Sequence, residues 1–206
     1  MAVPAWVSEV GIAAQVTIAV VAIWGERIRA RLLGLDLRIE LANPTGTLET
    51  IAEQLPGQTQ QTFSPARYYR VRVTNRAAFP PAEEVEVLLT QFERRGPNGQ
   101  PQRLFTGALP LQWVHQSLYA RTRTIGRATV AEADLLVARQ QSIALTPMVT
   151  PLSFPGSMQG ETHVWVTVVA RGPKGESRPL RLKIDWNGKW DRGDIEMAQH
   201  LQIAPD

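Results

Sequence analysis

Apolar and polar residues alternate in several short runs of this chain, and no other feature limits its fold more. Residues 35–41 are typical, because leucine and isoleucine occupy every second position, as in a strand that is buried on one face. Proline and glycine pairs such as Pro80-Pro81 and Gly172-Pro173 separate the runs. The alternation recurs in further runs at residues 68–74, 85–92, 129–137, 163–169, 180–186 and 195–203.

Short strands joined by turns predict a mainly β fold, a β-sandwich, since a βαβ fold would need helical segments between its strands. Two local patterns add detail. Asn187-Gly188 readily takes the positive φ values of a tight hairpin turn. Residues 47–55 carry Leu48, Ile51 and Leu55 at helical spacing, which predicts a short surface helix there.

One stretch resembles a known class of module. The sequence YYRVRVTN at residues 68–75 is followed by AEEVEV at residues 82–87. This order is similar to bacterial immunoglobulin-like or fibronectin-like modules, in which a strand ends in a Thr-Asn turn and a paired strand follows. The resemblance implies an immunoglobulin-like β-sandwich. It implies no binding residue, and the paired cysteines of antibody domains are missing.

An apolar segment between Trp6 and Trp24, residues 7–24, predicts a single membrane-spanning helix. At about 1.5 Å per residue the two tryptophans stand roughly 27 Å apart, close to the thickness of a bilayer's hydrocarbon core. Tryptophan also favours the two membrane interfaces. A signal peptide would need basic residues before the apolar stretch, and none precedes Arg27. An interfacial helix would carry charges along its length, whereas the charges here lie at the two ends. Interfacial binding and a buried helix of a soluble protein are the alternatives.

Basic residues flank the predicted span on one side only, at Arg27, Arg29 and Arg31. Because such residues stay on the cytoplasmic side, we expect the amino terminus outside and the β-domain in the cytoplasm, at a bacterial inner membrane. The chain then divides into an anchor with a juxtamembrane helix, residues 1–34, and a β-sandwich domain, residues 35–206. The lack of cysteine is compatible with a reducing compartment.

Small and weakly polar residues form a stripe along the predicted span. Spacing by three and four residues places them on one helix face, which favours close packing against another membrane helix, and a glutamine amide gains from a partner across such a contact. The stripe therefore predicts integral membrane subunits as partners, although alanine and glycine are common in any membrane helix. Its members are Ser8, Gly11, Gln15, Ala19 and Ala22.

No pattern typical of a catalytic, metal or cofactor site is present. His115, His163 and His200 are scattered, and the chain has no phosphate loop or nucleophile elbow. We therefore predict a protein that is not an enzyme and holds no cofactor. With 22 basic and 19 acidic residues, its charge is too balanced for general nucleic-acid binding. Four acidic residues lack the spacing of a calcium loop and suit turns instead: Asp185, Asp191, Asp194 and Glu196.

Arginine and aromatic residues in predicted loops indicate a surface for a protein partner, because both are enriched at interfaces. The alternatives are solvated loops or contact with lipid phosphates. We expect a non-catalytic accessory subunit of a larger respiratory, photosynthetic or transport complex in the membrane. A stand-alone membrane-tethered adaptor that recruits a soluble partner is the alternative. The predicted partner-binding residues are Arg94, Arg95, Phe105, Tyr119 and Arg121.

Overall fold

A computed structural model describes residues 36–53, 62–77, 81–117 and 120–206. The predicted span at residues 7–24, its packing stripe and its flanking arginines lie outside these ranges, as does Tyr119. Within the described ranges, no helix is long and apolar enough to cross a bilayer.

The described residues form thirteen strands and one short helix. The strands are β1 (Leu37–Leu41), β2 (Thr47–Glu53), β3 (Thr62–Asn75), β4 (Ala82–Arg95), β5 (Pro101–Pro110), β6 (Arg123–Ile125), β7 (Val130–Arg139), β8 (Ser142–Leu145), β9 (Ser157–Met158), β10 (Glu161–Gly172), β11 (Gly175–Glu176), β12 (Leu180–Asn187) and β13 (Leu201–Pro205). The helix is α1 (Asp194–His200).

The strands make two antiparallel sheets that enclose one core, so the prediction of a mainly β sandwich is confirmed. One sheet has the order β1-β3-β7-β8-β9, with β2 also paired to β3. The other has the order β13-β12-β10-β4-β5, with β11 paired to β10 and β6 to β4. Both sheets contribute to a single cluster of buried side chains, for example Tyr69 and Leu135 from the first and Val166 and Ile184 from the second.

Most of the alternating runs are strands, because each buries one face on this core. In β10, Val164, Val166 and Val168 are fully buried, whereas Trp165 and Thr167 between them are partly exposed. Burial of every second side chain is the reason that a period of two predicts these strands correctly.

The surface helix predicted at residues 47–55 is wrong over residues 47–53, and the last two residues of that prediction lie outside the described ranges. Thr47–Glu53 is strand β2, paired residue by residue with the first half of β3. A long neighbouring strand offers this segment a complete hydrogen-bonding edge, and the β-branched side chains of Thr47, Thr50 and Ile51 suit a strand. The helical spacing of a few apolar residues favours a helix less strongly than these effects favour a strand.

The predicted strand at residues 195–203 is wrong in its first part. Asp194–His200 forms α1, and β13 begins only at Leu201. Asp194 and Glu196 lie in the first helical turn, where acidic side chains favour the positive end of the helix dipole. Met197 is fully buried, so the core holds this helix in place.

The turn predicted at Asn187-Gly188 is present, but it does not close a hairpin. Gly188 has a φ of +82°, and the Asn187 side-chain oxygen accepts a hydrogen bond from the Lys189 N–H at 3.0 Å. The chain then passes through α1 before β13 returns to pair with β12. The dipeptide predicts the local backbone correctly, whereas the next segment decides what the turn connects.

The sandwich has two ends, which we name by their distance from Asp36. The near end holds the start of β1, Arg76 after β3 and the turn after β10. The far end holds the turn at residues 96–100 between β4 and β5 and the segment at residues 187–194. Strand register places them apart, because Arg171 lies opposite Glu86 on β4 and Val164 lies opposite Arg94.

Candidate partner-binding surface

The strands β4 and β5 form a hairpin at one edge of the seven-stranded sheet. The Gly96 N–H donates to the Gln100 carbonyl at 2.8 Å, and the Gly99 N–H donates to the Gly96 carbonyl at 2.9 Å. These bonds reverse the chain, and Pro101 begins β5 opposite Arg95. The loop predicted for this region is therefore wrong. A Gly-Pro-Asn-Gly turn directly after a strand is the sequence signal that identifies the hairpin.

Strand β5 is an edge strand within the described residues, and its side chains rather than its backbone are suited to contact a partner. Seven of its ten residues are exposed. Its register with β4 shifts at two places, and Pro101 and Pro110 stand at its ends. Bulges and prolines are common protections of an edge against pairing with another strand. Strand addition is therefore disfavoured here.

Two arginines and one leucine are among the exposed residues of this hairpin. Arg94 and Arg95 end β4 and are exposed, and Leu104 on β5 is 41% exposed. Within the described residues neither arginine makes an ion pair. The adjacent Glu93 is neutralised separately, since it pairs with Arg181 at 2.9 Å and lies 3.9 Å from Arg103. The hairpin tip therefore carries positive charge on both faces of the sheet, since consecutive strand residues point to opposite faces, and Leu104 adds exposed apolar area on β5.

Phe105 supports this surface from beneath. Its ring meets Phe154 edge to face with centroids 5.3 Å apart, and Phe154 contacts the buried Phe92 at 5.8 Å. Gly107 leaves room for the ring, because a Cβ at that position would lie 2.5 Å from Phe105 Cζ. This aromatic row joins β5 to the core, which indicates a structural contribution for Phe105.

Arg121 lies away from the hairpin tip. Its Nε is 2.6 Å from the Glu86 carboxylate, and its carbonyl accepts a hydrogen bond from Trp113 Nε1 at 3.2 Å. Glu86 and Arg94 are eight residues apart on β4, which corresponds to about 26 Å along a strand. The structure thus brings Arg94, Arg95 and Phe105 together and separates Arg121 from them.

A buried arginine at the far end escaped the sequence-based prediction. Arg67 on β3 is fully buried. Its guanidinium donates to the Thr45 carbonyl at 3.0 Å, to Asp194 Oδ1 at 2.6 Å and to the Arg192 carbonyl at 2.6 Å. Because β3 belongs to one sheet and residues 192–194 follow the other, Arg67 connects the two sheets.

Three of the four acidic residues considered as calcium ligands, Asp185, Asp191 and Asp194, have separate partners. Asp194 binds Arg67, and Asp191 accepts the Gly193 N–H at 2.9 Å. Burial opposes ionisation of Asp185, but hydrogen bonds from Lys183 and His163 outweigh it and hold the pKa of Asp185 below its usual value. In the part of the chain that the structure describes, no group of side chains is arranged to hold a metal ion.

No protein family model matches the chain, and no curated protein matches its sequence. The surface is therefore interpreted from its own residues.

Proposed function

We propose that this chain is a non-catalytic accessory subunit of a larger membrane protein complex. A helix at residues 7–24 anchors it, and its β-sandwich braces neighbouring subunits on the cytoplasmic side. The observation that carries the proposal is the β4–β5 hairpin, which exposes Arg94 and Arg95 at the end of β4 and Leu104 on β5, a strand that Phe105 joins to the core. Arginine next to apolar surface on a rigid support is typical of protein-binding hot spots.

The sandwich is proposed to be immunoglobulin-like. Its pairings support this, because β1 pairs with β3 and β3 with β7, as strands A, B and E do in that fold. Likewise β4 pairs with β10 and β10 with β12, as strands C, F and G do. Strand D precedes E in immunoglobulin domains, whereas β8 here follows β7 and forms a hairpin with it.

The proposed contact on the neighbouring subunit is a surface rich in carboxylates. Both exposed arginines present a planar fork of donors that suits carboxylate oxygens. The neighbouring acid Glu93 is already paired with Arg181, so the charge of Arg94 and Arg95 remains available to a partner. Leu104 supplies apolar area to the same contact.

Co-purification of the full chain in mild detergent tests this proposal. The double variant Arg94→Ala/Arg95→Ala should lose its partners, because substitution at a hot spot costs about 2 kcal/mol or more in binding. Circular dichroism should stay unchanged, since both side chains are exposed. Arg121→Ala is the matched control, an exposed arginine away from the hairpin, and it should retain the partners.

Two results would contradict the subunit proposal. One is a monodisperse monomer at native expression. The other is unchanged co-purification of the double variant. Phe105→Ala is unsuitable for this test, because its ring packs on Phe154 and its loss perturbs the fold.

The anchor itself distinguishes a subunit from a passive tether. Replacing residues 7–24 with an unrelated span should abolish assembly if the stripe from Ser8 to Ala22 packs on another helix. Preserved function of the replacement would instead favour the stand-alone adaptor. Trypsin added to intact cells should leave the exposed Lys174 and Lys189 uncut, whereas inverted vesicles should permit cleavage.

A further inference from the structure

A cleft of about 470 Å³ opens at the near end of the sandwich, between the start of β1 and the segment before β12. Arg38, Arg76 and Arg178 line it, and Asp36 is the one acidic residue among the described residues of its lining. Leu37 and Ile39, which are buried, also contribute to its walls. The cleft thus combines guanidinium groups with apolar surface.

Arg178 projects from a backbone that is held in place on both sides. The preceding Ser177 is buried, its hydroxyl accepts the Ala170 N–H at 3.0 Å and it donates to the Arg178 carbonyl at 3.0 Å. The following Pro179 restricts Arg178 to an extended conformation. The side chain is nevertheless exposed.

The backbone of Arg76, at the end of β3, is also held by hydrogen bonds. Its N–H donates to the Asp36 carbonyl at 2.9 Å. The preceding Asn75 is buried, and its side-chain oxygen accepts the Ala77 N–H at 3.1 Å. An exposed charged group on a fixed backbone loses less conformational freedom on binding, which favours a ligand of opposite charge.

The charges of Arg76 and Arg178 are available to a ligand. Arg38 lies 3.2 Å from Glu40 in an exposed ion pair, and such pairs are weak. For Arg76 and Arg178, no ion pair occurs within the described ranges. Guanidinium groups bind phosphate oxygens through paired hydrogen bonds. The side chains therefore favour a phosphate-bearing anion.

The cleft lies at the near end of the sandwich, which is the end connected to the proposed membrane anchor. Asp36 follows Trp24 by 12 residues, a distance of about 18 Å if the connection is helical. Basic groups close to a bilayer gain from anionic headgroups. We propose that the cleft binds the phosphate of an anionic phospholipid in the adjacent leaflet, through Arg76 and Arg178. This inference rests on the proposed membrane anchor.

Bound lipid at this position would hold the near end against the bilayer and direct the far end, with its β4–β5 hairpin, away from it. The domain would then meet its partner in one orientation. Orientation of this kind lowers the freedom lost when the subunit docks.

Titration of the full chain in dodecyl maltoside with dihexanoyl phosphatidylglycerol, followed by calorimetry, tests the proposal. The variant Arg76→Gln/Arg178→Gln should bind at least about tenfold more weakly, a change of about 1.4 kcal/mol. The matched control is Arg72→Gln/Arg171→Gln, which removes the same charge from two arginines outside the cleft that pair with Glu132 and Glu176. It should stay within about twofold of the unmodified chain.

Parallel titrations identify the source of the phosphate. Dihexanoyl phosphatidylcholine should bind more weakly than the anionic lipid, and inorganic phosphate should bind more weakly still. Equal affinity for inorganic phosphate would show a site for a free anion and overturn the lipid proposal. An equal loss in both double variants would show a general charge effect and overturn it as well.

Failure of this inference and failure of the proposed function are separable. The titration uses the purified chain and needs no partner subunit, whereas the co-purification test depends on Arg94 and Arg95. If the unmodified chain keeps its partners but binds the lipid no better than the cleft variant, only the lipid proposal is contradicted. If the chain is absent from the membrane fraction, the proposed membrane anchor is contradicted.

Discussion

The two ends of the sandwich use arginine in opposite ways. At the far end, Arg67 is fully buried and three oxygen atoms accept its hydrogen bonds. At the near end, Arg76 and Arg178 are exposed around an open cleft. A buried guanidinium whose two terminal nitrogens donate within the fold stabilises the domain and is not accessible to a ligand. An exposed one adds little to stability and remains free to bind.

This comparison separates residues that hold the domain together from residues that serve a partner. Other charged groups at the far end are also paired within the chain, since Lys183 and His163 each pair with Asp185. The hairpin tip at Arg94 and Arg95 is the exception at that end, and for that reason it is the proposed contact. The variants below are arranged from the largest expected effect on stability to the smallest.

Arg67→Ala should lower the free energy of unfolding by about 4 kcal/mol, because it leaves a cavity in place of a fully buried side chain and deprives the Thr45 and Arg192 carbonyls of their donor. Urea unfolding followed by tryptophan fluorescence measures this, since Trp113 and Trp186 are buried reporters. Asp194→Asn is the control, as this side chain is 70% exposed and retains an acceptor oxygen. It should cost about 1 kcal/mol. Equal stability of Arg67→Ala and the unmodified chain would contradict a structural role for Arg67.

Gly46→Ala should destabilise the same region by about 2 kcal/mol. Gly46 has a φ of +70°, and a Cβ there would lie 2.8 Å from Arg67 Cγ. Gly160→Ala provides the matched control, because Gly160 has a φ of +67° with open space around it. That variant should cost about 1 kcal/mol from backbone strain alone. Identical losses in urea unfolding would show that Arg67 is not closely packed.

Asp185→Asn should remove a small pH dependence from stability. Because hydrogen bonds lower the folded-state pKa of Asp185, ionised Asp185 stabilises the fold above its unfolded pKa of about 3.9. That contribution is lost as the pH falls through the folded pKa. The difference between the unmodified chain and the variant should therefore be below about 1 kcal/mol at pH 6 and shrink on acidification. A difference independent of pH would exclude this linkage.

Arg76→Ala and Arg178→Ala should each change the free energy of unfolding by less than about 0.5 kcal/mol, since both side chains are exposed. The same urea experiment measures this. A loss above about 1 kcal/mol would assign a structural role to the near-end arginines and remove the contrast between the ends.

Elements whose period of two matches burial on one face were predictable from the chain. Strands β3, β4, β10 and β12 all lie where apolar residues alternate, because a sandwich buries every second side chain. The positive hairpin tip was predictable in part, since Arg94 and Arg95 were identified while the partner strand β5 of their hairpin was not. The position of Arg121 could not be predicted from the sequence, because its distance from Arg94 and Arg95 depends on strand register.

Long-range pairing decided what local spacing could not. Thr47–Glu53 is a strand because β3 lies beside it, and α1 forms where Met197 reaches the core. On β3 the alternation of Arg67 with Tyr69, Val71 and Val73 already places Arg67 on the inward face.

The alternation on β3 does not identify the hydrogen-bond acceptors that stabilise a buried arginine. The partners of Arg67 are Thr45, Arg192 and Asp194, and the last lies 127 residues away along the chain. The periodicity of the chain by itself determined which way this side chain points. Only the tertiary structure decided that its charge is satisfied, because hydrogen bonds over such separations exist only once both sheets are in place.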